Sequence, residues 1–292
     1  MLTHSPTPAR HKHFTHDPID LSSQSFGADW TASIASVRNA RADCWKPNED
    51  RIELDSDRQF VVIADGITRT KNADGAYPFP SPSAQVAQLF CNRIAELVRA
   101  LPSISAESLG LALTIANRGI ARFNQTRFPS VDFSRNDPAG VACILGVVDK
   151  NRLWVASIAD CFCLVSDSLC TRQVAWERTS HATAEYNRLG ETEARRLLRN
   201  NAKSKYGYGA FTGEEAALQF VQYHCIDLQY VQRIVFASDG LLQLATHSAV
   251  SFGTNSADEL VRSACRLDDE LGNTDDKTIV VLDRAKHHIG KS

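Results

Sequence analysis

Four acidic stations in this sequence each stand at the edge of a hydrophobic run. They are Asn48-Glu49-Asp50; Asp65-Gly66, which closes Phe60-Val61-Val62-Ile63-Ala64; Ser238-Asp239-Gly240, which closes Ile234-Val235-Phe236-Ala237; and Asp275-Asp276, which opens Thr278-Ile279-Val280-Val281-Leu282. A carboxylate just past a buried strand is held by rigid backbone and still meets solvent, as a hard divalent cation requires of its ligands. One such station is weak, because Asp-Gly is a common turn dipeptide. Repetition of the same strand-then-acid order makes the set strong. Carboxylates that converged without a cation would repel one another, so convergence would itself imply metal. We read the four as one metal site.

The elements that must position them follow from periodicity. Asp29 to Val37 and Arg51 to Asp55 read as short strands, and Gln59 to Ala64 as a fully buried one. Thr68 to Pro82, with Asn72, Gly75, Pro78 and Pro80, reads as a loop beside Asp65. From Ser83, the positions Val86, Leu89, Phe90, Ile94, Leu97 and Val98 form one helical stripe. Ser105 caps a second helix, with Leu109, Leu113, Ala116, Ile120 and Phe123 inward, which Pro129 ends.

Gly140 to Val148 and Leu153 to Ile158, joined by Asp149-Lys150-Asn151, predict a hairpin that continues as a meander through Phe162 to Val174. Thr179 to Ala202 is charged and helix-prone, and Lys203 to Gly213 reads as a loop; both are expected outside the core. A strand over Val231 to Ser238, a helical segment over Gly240 to Ala245, an amphipathic helix over Ser256 to Leu271 and a last strand over Lys277 to Asp283 complete the chain. Strands in hairpins and helices in pairs predict an α+β sandwich, since a doubly wound sheet would alternate strand and helix.

Composition limits the function. The 292 residues are 43% hydrophobic, enough for a proper core, and 32 Lys plus Arg nearly balance 34 Asp plus Glu. No whole-molecule field favours nucleic acid or an anionic membrane, and the expected partner is a specific substrate met by a monomer. His4, His11, His13 and His16 fit no helix face and no finger pattern, so residues 1–25 are expected to be a flexible tail, 26–286 one domain and 287–292 a short C-terminal tail. The first 19 residues hold no apolar stretch fit for a signal peptide, and the eight scattered cysteines form no C-x-x-C. A cytoplasmic protein with reduced, buried cysteines is the expectation.

With these residues in view, the sequence resembles the metal-dependent, PPM-type (type 2C) serine/threonine protein phosphatases from roughly Ala28 to Arg284. Asn48-Glu49-Asp50 is similar to the early N-E-D element of that family, and Val62-Ile63-Ala64-Asp65-Gly66 to its strand ending in V-A-D-G. Gly140-Val141-Ala142 is similar to its G-T-T/A strand start, and Ala159-Asp160-Cys161-Phe162 stands where it has G-D-S-R. Ala237-Ser238-Asp239-Gly240 matches A-S-D-G in full, and Asp275-Asp276-Lys277-Thr278 is similar to D-N-x-T.

The resemblance implies a two-layer antiparallel β-sandwich flanked by pairs of α-helices, with two Mn²⁺ or Mg²⁺ ions in a cleft at one end. It implies that Asp65 bridges both ions, with the Gly66 carbonyl on the first and Asp239 and Asp275 on the second. Glu49 and Asp50 would act through metal-bound waters, and Asp160 with Asp239 would hold a weaker third ion. Two cations about 3.5–4 Å apart make a hydroxide nucleophile available near neutral pH and neutralise the phosphoryl oxygens that it attacks. The implied substrate is a phosphoprotein, and the implied activity removes phosphate from its phosphoserine or phosphothreonine.

The sequence departs from the pattern at two places. Trp45 stands where the family has a phosphate-gripping Arg, which leaves Lys46 and Arg69 as candidates for that cation. Ile67 follows Asp-Gly where a candidate acid His or a Met is usual. A catalytically weak phosphatase-fold sensor or scaffold, and a phosphatase of small metabolites, are the alternatives that share these ligands.

Overall fold

The computed structural model describes residues 20–38, 46–67, 77–127, 138–271 and 275–285. Two antiparallel sheets face each other. The first has six strands in the order β1 (Asp20–Phe26), β2 (Trp30–Val37), β11 (Lys277–Arg284), β10 (Arg233–Ala237), β7 (Phe162–Ser166) and β8 (Thr171–Ala175). The second has five, in the order β3 (Arg51–Asp55), β4 (Phe60–Gly66), β5 (Val141–Asp149), β6 (Arg152–Ile158) and β9 (Gln222–Asp227). This is the predicted α+β sandwich.

The central strands are apolar on both faces because each face has its own layer to cover it. Phe60, Val62 and Ala64 of β4 turn to one side, where they meet the helices α1 (Pro82–Ala100) and α2 (Ala106–Arg127). Val61 and Ile63 turn to the other side and pack against Ile234 and Phe236 of β10 between the sheets. On the far side of the first sheet, Val235, Ile279 and Val281 pack against Leu260, Val261 and Ala264 of α6 (Ala257–Leu271), with α5 (Leu242–His247) beside it. The order is helix pair, sheet, sheet, helix pair.

Both helix starts are set by side chains. Ser81 Oγ accepts from the Ala84 amide at 3.1 Å, with Pro82 in the first turn of α1. Ser105 Oγ accepts from the Ser108 amide at 3.1 Å, so the expected cap of α2 is in place.

Four expectations need correction. The β5–β6 hairpin and the β7–β8 hairpin are not one meander, because the chain changes sheet across Ala159–Cys161. The folded part begins earlier than residue 26, since β1 pairs with β2 from Asp20↔Ser36 onward. The loop 203–213 is not wholly outside the core. Phe211 pairs with Val141 through two backbone hydrogen bonds and stacks on Phe90 at 5.3 Å between ring centroids. Finally, β9 was not expected; it is an edge strand whose residues are half-exposed or exposed, so no buried run announces it.

The charged segment forms α3 (Thr183–Leu189) and α4 (Glu191–Leu198), which share a small apolar cluster of Ala182, Ala194 and Leu198. Cys91, Cys143, Cys161, Cys163 and Cys265 are buried free thiols as expected, whereas Cys170 and Cys225 are exposed. Cys161 and Cys163 both belong to the apolar core between the sheets. Residues 1–19 and 286–292, which hold most of the expected N-terminal tail and all of the C-terminal one, lie outside the described residues.

Candidate metal centre

Antiparallel pairing brings the acidic stations to one end of the sandwich. In the second sheet, Asp65 near the end of β4 lies opposite Ala142 near the start of β5, and Ala64 opposite Arg51, the first residue of β3. Asp160 follows the end of β6, whose Ile158 pairs with Cys143. In the first sheet, Ala237 pairs with Ile279, so the segments carrying Asp239 and Asp275 leave the sheet side by side. The turn at Gly240 is packed so closely that a Cβ there would meet the Asp276 carbonyl oxygen at 1.9 Å. Only glycine fits.

Three carboxylates then converge. Asp65, Asp160 and Asp239 each offer an oxygen within 4.8 Å of the others. Asp50 and Asp275 complete the field around them, each raising the proton affinity of both Asp65 and Asp239. Burial is the larger cause: it pushes Asp65 and Asp239 well above the usual carboxylate range before mutual repulsion adds to it. Asp50 and Asp160 are pushed up to about 7, also chiefly by burial. Asp275 is raised by burial although Lys46 opposes the shift.

The donor set fits a hard divalent cation. All its atoms are carboxylate oxygens, and among the described residues Asp50 Oδ1 and Asp239 Oδ1 are buried yet accept no hydrogen bond. Buried acceptors without donors are costly, and a cation held by oxygen ligands satisfies them and offsets the repulsion together. Neither histidine nor cysteine belongs to the group, as Mn²⁺ or Mg²⁺ prefers.

Gly66 is wedged between backbone atoms, where a Cβ would stand 2.8 Å from Ser83 O and 2.9 Å from Glu49 O. Its amide donates to Glu49 O at 3.3 Å, tying the end of β4 to the station before β3. Glu49 itself faces inward. Its Oε1 accepts from Tyr77 Oη at 2.6 Å and from Ser81 Oγ, and Oε2 from Lys46 Nζ at 3.3 Å. Asp50 Oδ2 accepts from Ser238 Oγ at 2.8 Å, a link across the sheets.

The phosphate-binding candidates divide. Lys46 is buried, with its ammonium 2.9 Å from Asp276 Oδ2. Trp45, Thr68 and Arg69 lie outside the described residues. A cation that the motifs did not indicate is Arg199, beyond the end of α4. With Asp160, Ile67, Thr179, Thr183, Tyr186 and Tyr208 it lines a cavity of about 280 Å³. Asn200, at φ 55°, anchors this segment through Thr212 Oγ1 and Glu214 Oε2. Ala159, at φ 67°, occupies the left-handed region at the position that G-D-S-R gives to glycine.

Tyr77, Ser81 and Ser238 were also not singled out as supports. For Ser238 a signal existed in A-S-D-G, and for Ser81 in the Ser-Pro that begins a helical stripe.

No protein-family model and no curated protein sequence matches this chain. Solved structures do match it, and what they share with it is a fold, that of the PPM-type serine/threonine phosphatases. The catalytic domain of the phosphatase PstP in complex with two manganese ions is 20% identical, at TM-score 0.61 over 88% of this chain and 99% of that one. The Mycobacterium tuberculosis phosphatase PstP/Ppp is 19% identical, at TM-score 0.62 over the same shares. Stp1 from Staphylococcus aureus is 13% identical, at TM-score 0.61 over 89% of this chain and 97% of that one.

Proposed function

We propose that this protein is a metal-dependent phosphomonoesterase that removes phosphate from phosphoserine and phosphothreonine in proteins. The observation that carries the reading is the convergence of Asp65, Asp160 and Asp239 within 4.8 Å at the ends of strands from both sheets. The manganese-bound fold neighbour supports two Mn²⁺ ions as the cofactor. Mg²⁺ as the exchangeable ion, and a third ion at Asp160, are part of the proposal.

The bound ions supply a water nucleophile at neutral pH and charge neutralisation for the phosphoryl group. The chain's own residues hold and shape that chemistry. Asp65 and Asp239 provide the central ligand oxygens, with Asp50 and Asp275 beside them. Ser238 fixes Asp50 by its hydrogen bond, and Gly66 and Gly240 let backbone segments approach closely enough to bring the carboxylates together. Ile67 lines the cavity next to Asp160 and carries no proton donor, so the leaving oxygen takes its proton from water or from another acid. Arg199 is the cation we place toward the substrate, because it borders the same cavity.

Among the described residues no helix is long and apolar enough to cross a membrane. We infer a monomer that works in the cytoplasm, on the free state of its described cysteines and its balanced charge.

The test is hydrolysis of a chromogenic aryl phosphate with and without Mn²⁺, for the native chain and Asp239→Asn. Release that needs Mn²⁺ and disappears in the variant supports catalysis. Measurable Mn²⁺ binding with no release under any divalent ion would favour a sensor instead. A phosphopeptide and sugar-phosphate panel then separates protein from metabolite substrates.

A further inference from the structure

Two charges that the motif pattern does not call for meet inside the protein. One is Lys46; the other is Asp276, which stands at the Asn position of D-N-x-T. Lys46 Nζ donates to Asp276 Oδ2 at 2.9 Å and to Glu49 Oε2 at 3.3 Å. Asp276 Oδ2 accepts from the Glu49 amide as well, at 2.9 Å. The three residues are 5%, 2% and 0% exposed for Lys46, Asp276 and Glu49. Glu49 leads into β3 of the five-stranded sheet, and Asp276 into β11 of the six-stranded one. One ammonium is thus shared between the sheets. Directly beside each partner lies a carboxylate of the metal centre: Asp50 after Glu49, Asp275 before Asp276.

We propose that Lys46 is a positioning residue, an internal cationic strut that fastens the start of β3 to the start of β11 and so sets the spacing of Asp50 and Asp275. It does not meet substrate. The inference rests on the reading of those carboxylates as a metal centre, and its physical content is separable from activity. Removing Lys46 alone leaves Glu49 and Asp276 buried without that counter-charge, which costs far more than never having had the pair. Removing both charges in Lys46→Met/Asp276→Asn preserves shape. The amide oxygen introduced by Asp276→Asn could still accept from the Glu49 amide, and Glu49 keeps Tyr77 and Ser81 as donors.

The signature of a strut is therefore that the double variant is healthier than the single one. A lysine that gripped phosphate would behave in the opposite way, because no change at Asp276 could restore it. Three readouts distinguish the cases: Mn²⁺ affinity by calorimetry, melting of the metal-free chain, and KM for an aryl phosphate at saturating Mn²⁺. Lys46→Met is expected to weaken Mn²⁺ binding by at least about tenfold. Its metal-free melting temperature is expected to fall by about 10 °C. The double variant should regain most of both and keep the native KM.

An unchanged Mn²⁺ affinity in Lys46→Met, or a rise in KM alone, would overturn the proposal. So would a double variant no better than the single. If Lys46→Met does not fold, the double variant decides by itself, since a strut requires it to fold and bind Mn²⁺. A native chain that binds no Mn²⁺ would instead sink the phosphatase reading, and the metal-free melting comparison would still judge the strut.

Discussion

The same two sheets are joined in two different ways along their length. Midway, the contact is apolar: Val61, Ile63, Ile144, Ile234, Phe236 and Val280 interdigitate, and the Phe236 ring fills the space that a side chain at Gly146 would need. At the acidic end the links are polar. Ser238 reaches Asp50, Asn48 reaches Ser36, and Lys46 spans Glu49 and Asp276. Apolar contact is non-directional and supplies the free energy that keeps the sheets together. Hydrogen bonds and buried ion pairs contribute little net stability but fix geometry. The molecule therefore has a region that holds and a region that aims.

That division can be broken from either side. Phe236→Ala should cost about 3–5 kcal/mol by opening a cavity between the sheets, read as a shifted denaturation midpoint. The surviving folded fraction should keep its Mn²⁺ affinity. Asp65→Asn should do the reverse: aryl phosphate turnover falls by more than about 100-fold. At mildly alkaline pH its metal-free melting temperature should rise, because a repelling carboxylate has been neutralised.

Acidity sharpens the contrast further. Asp50 and Asp160 are held near 7 in the fold, with Asp65, Asp239 and Asp275 also displaced upward, against about 4 in an unfolded chain. The folded, metal-free protein thus retains protons that the unfolded chain releases. The stability that these raised carboxylates contribute is fullest below about pH 4 and is lost as pH rises through about 7. A melting series across that window should slope downward with chelator and flatten with Mn²⁺. The smallest expected effect is at the cavity: Arg199→Ala should raise KM for a phosphopeptide about tenfold and leave Mn²⁺ affinity unchanged.

The aiming region was partly legible in the sequence. A carboxylate at the end of a fully apolar run, as at Asp65 and Asp239, reports both a buried strand and an acid held rigidly at its end, so local pattern sufficed. The stripes of α1 and α2 were legible for the same reason, since periodicity records which face is covered. What periodicity does not record is which layer covers it. The strands on either side of Ala159–Cys161 read as one continuous meander, yet there the chain passes between sheets. Lys46 was harder still. Its partner Asp276 lies 230 positions away, and a lysine next to an acidic motif carries no local mark of burial. β9 was missed because an edge strand with one wet face lacks a continuous apolar run.

One hydroxyl ties the birth of a helix to the completion of the site. Ser81 Oγ accepts the amide of Ala84 at the head of α1 and donates its own hydrogen to Glu49. Its lone pair and its proton are thus committed to two distant stretches of chain at once. The opening turn of α1 and the seating of Glu49 become a single cooperative event, so a movement that withdraws Glu49 would also loosen the leading end of α1. Conformational change at the cleft would then be transmitted along the helix layer, away from the cluster of Asp65, Asp160 and Asp239, through an oxygen that is not one of its carboxylates.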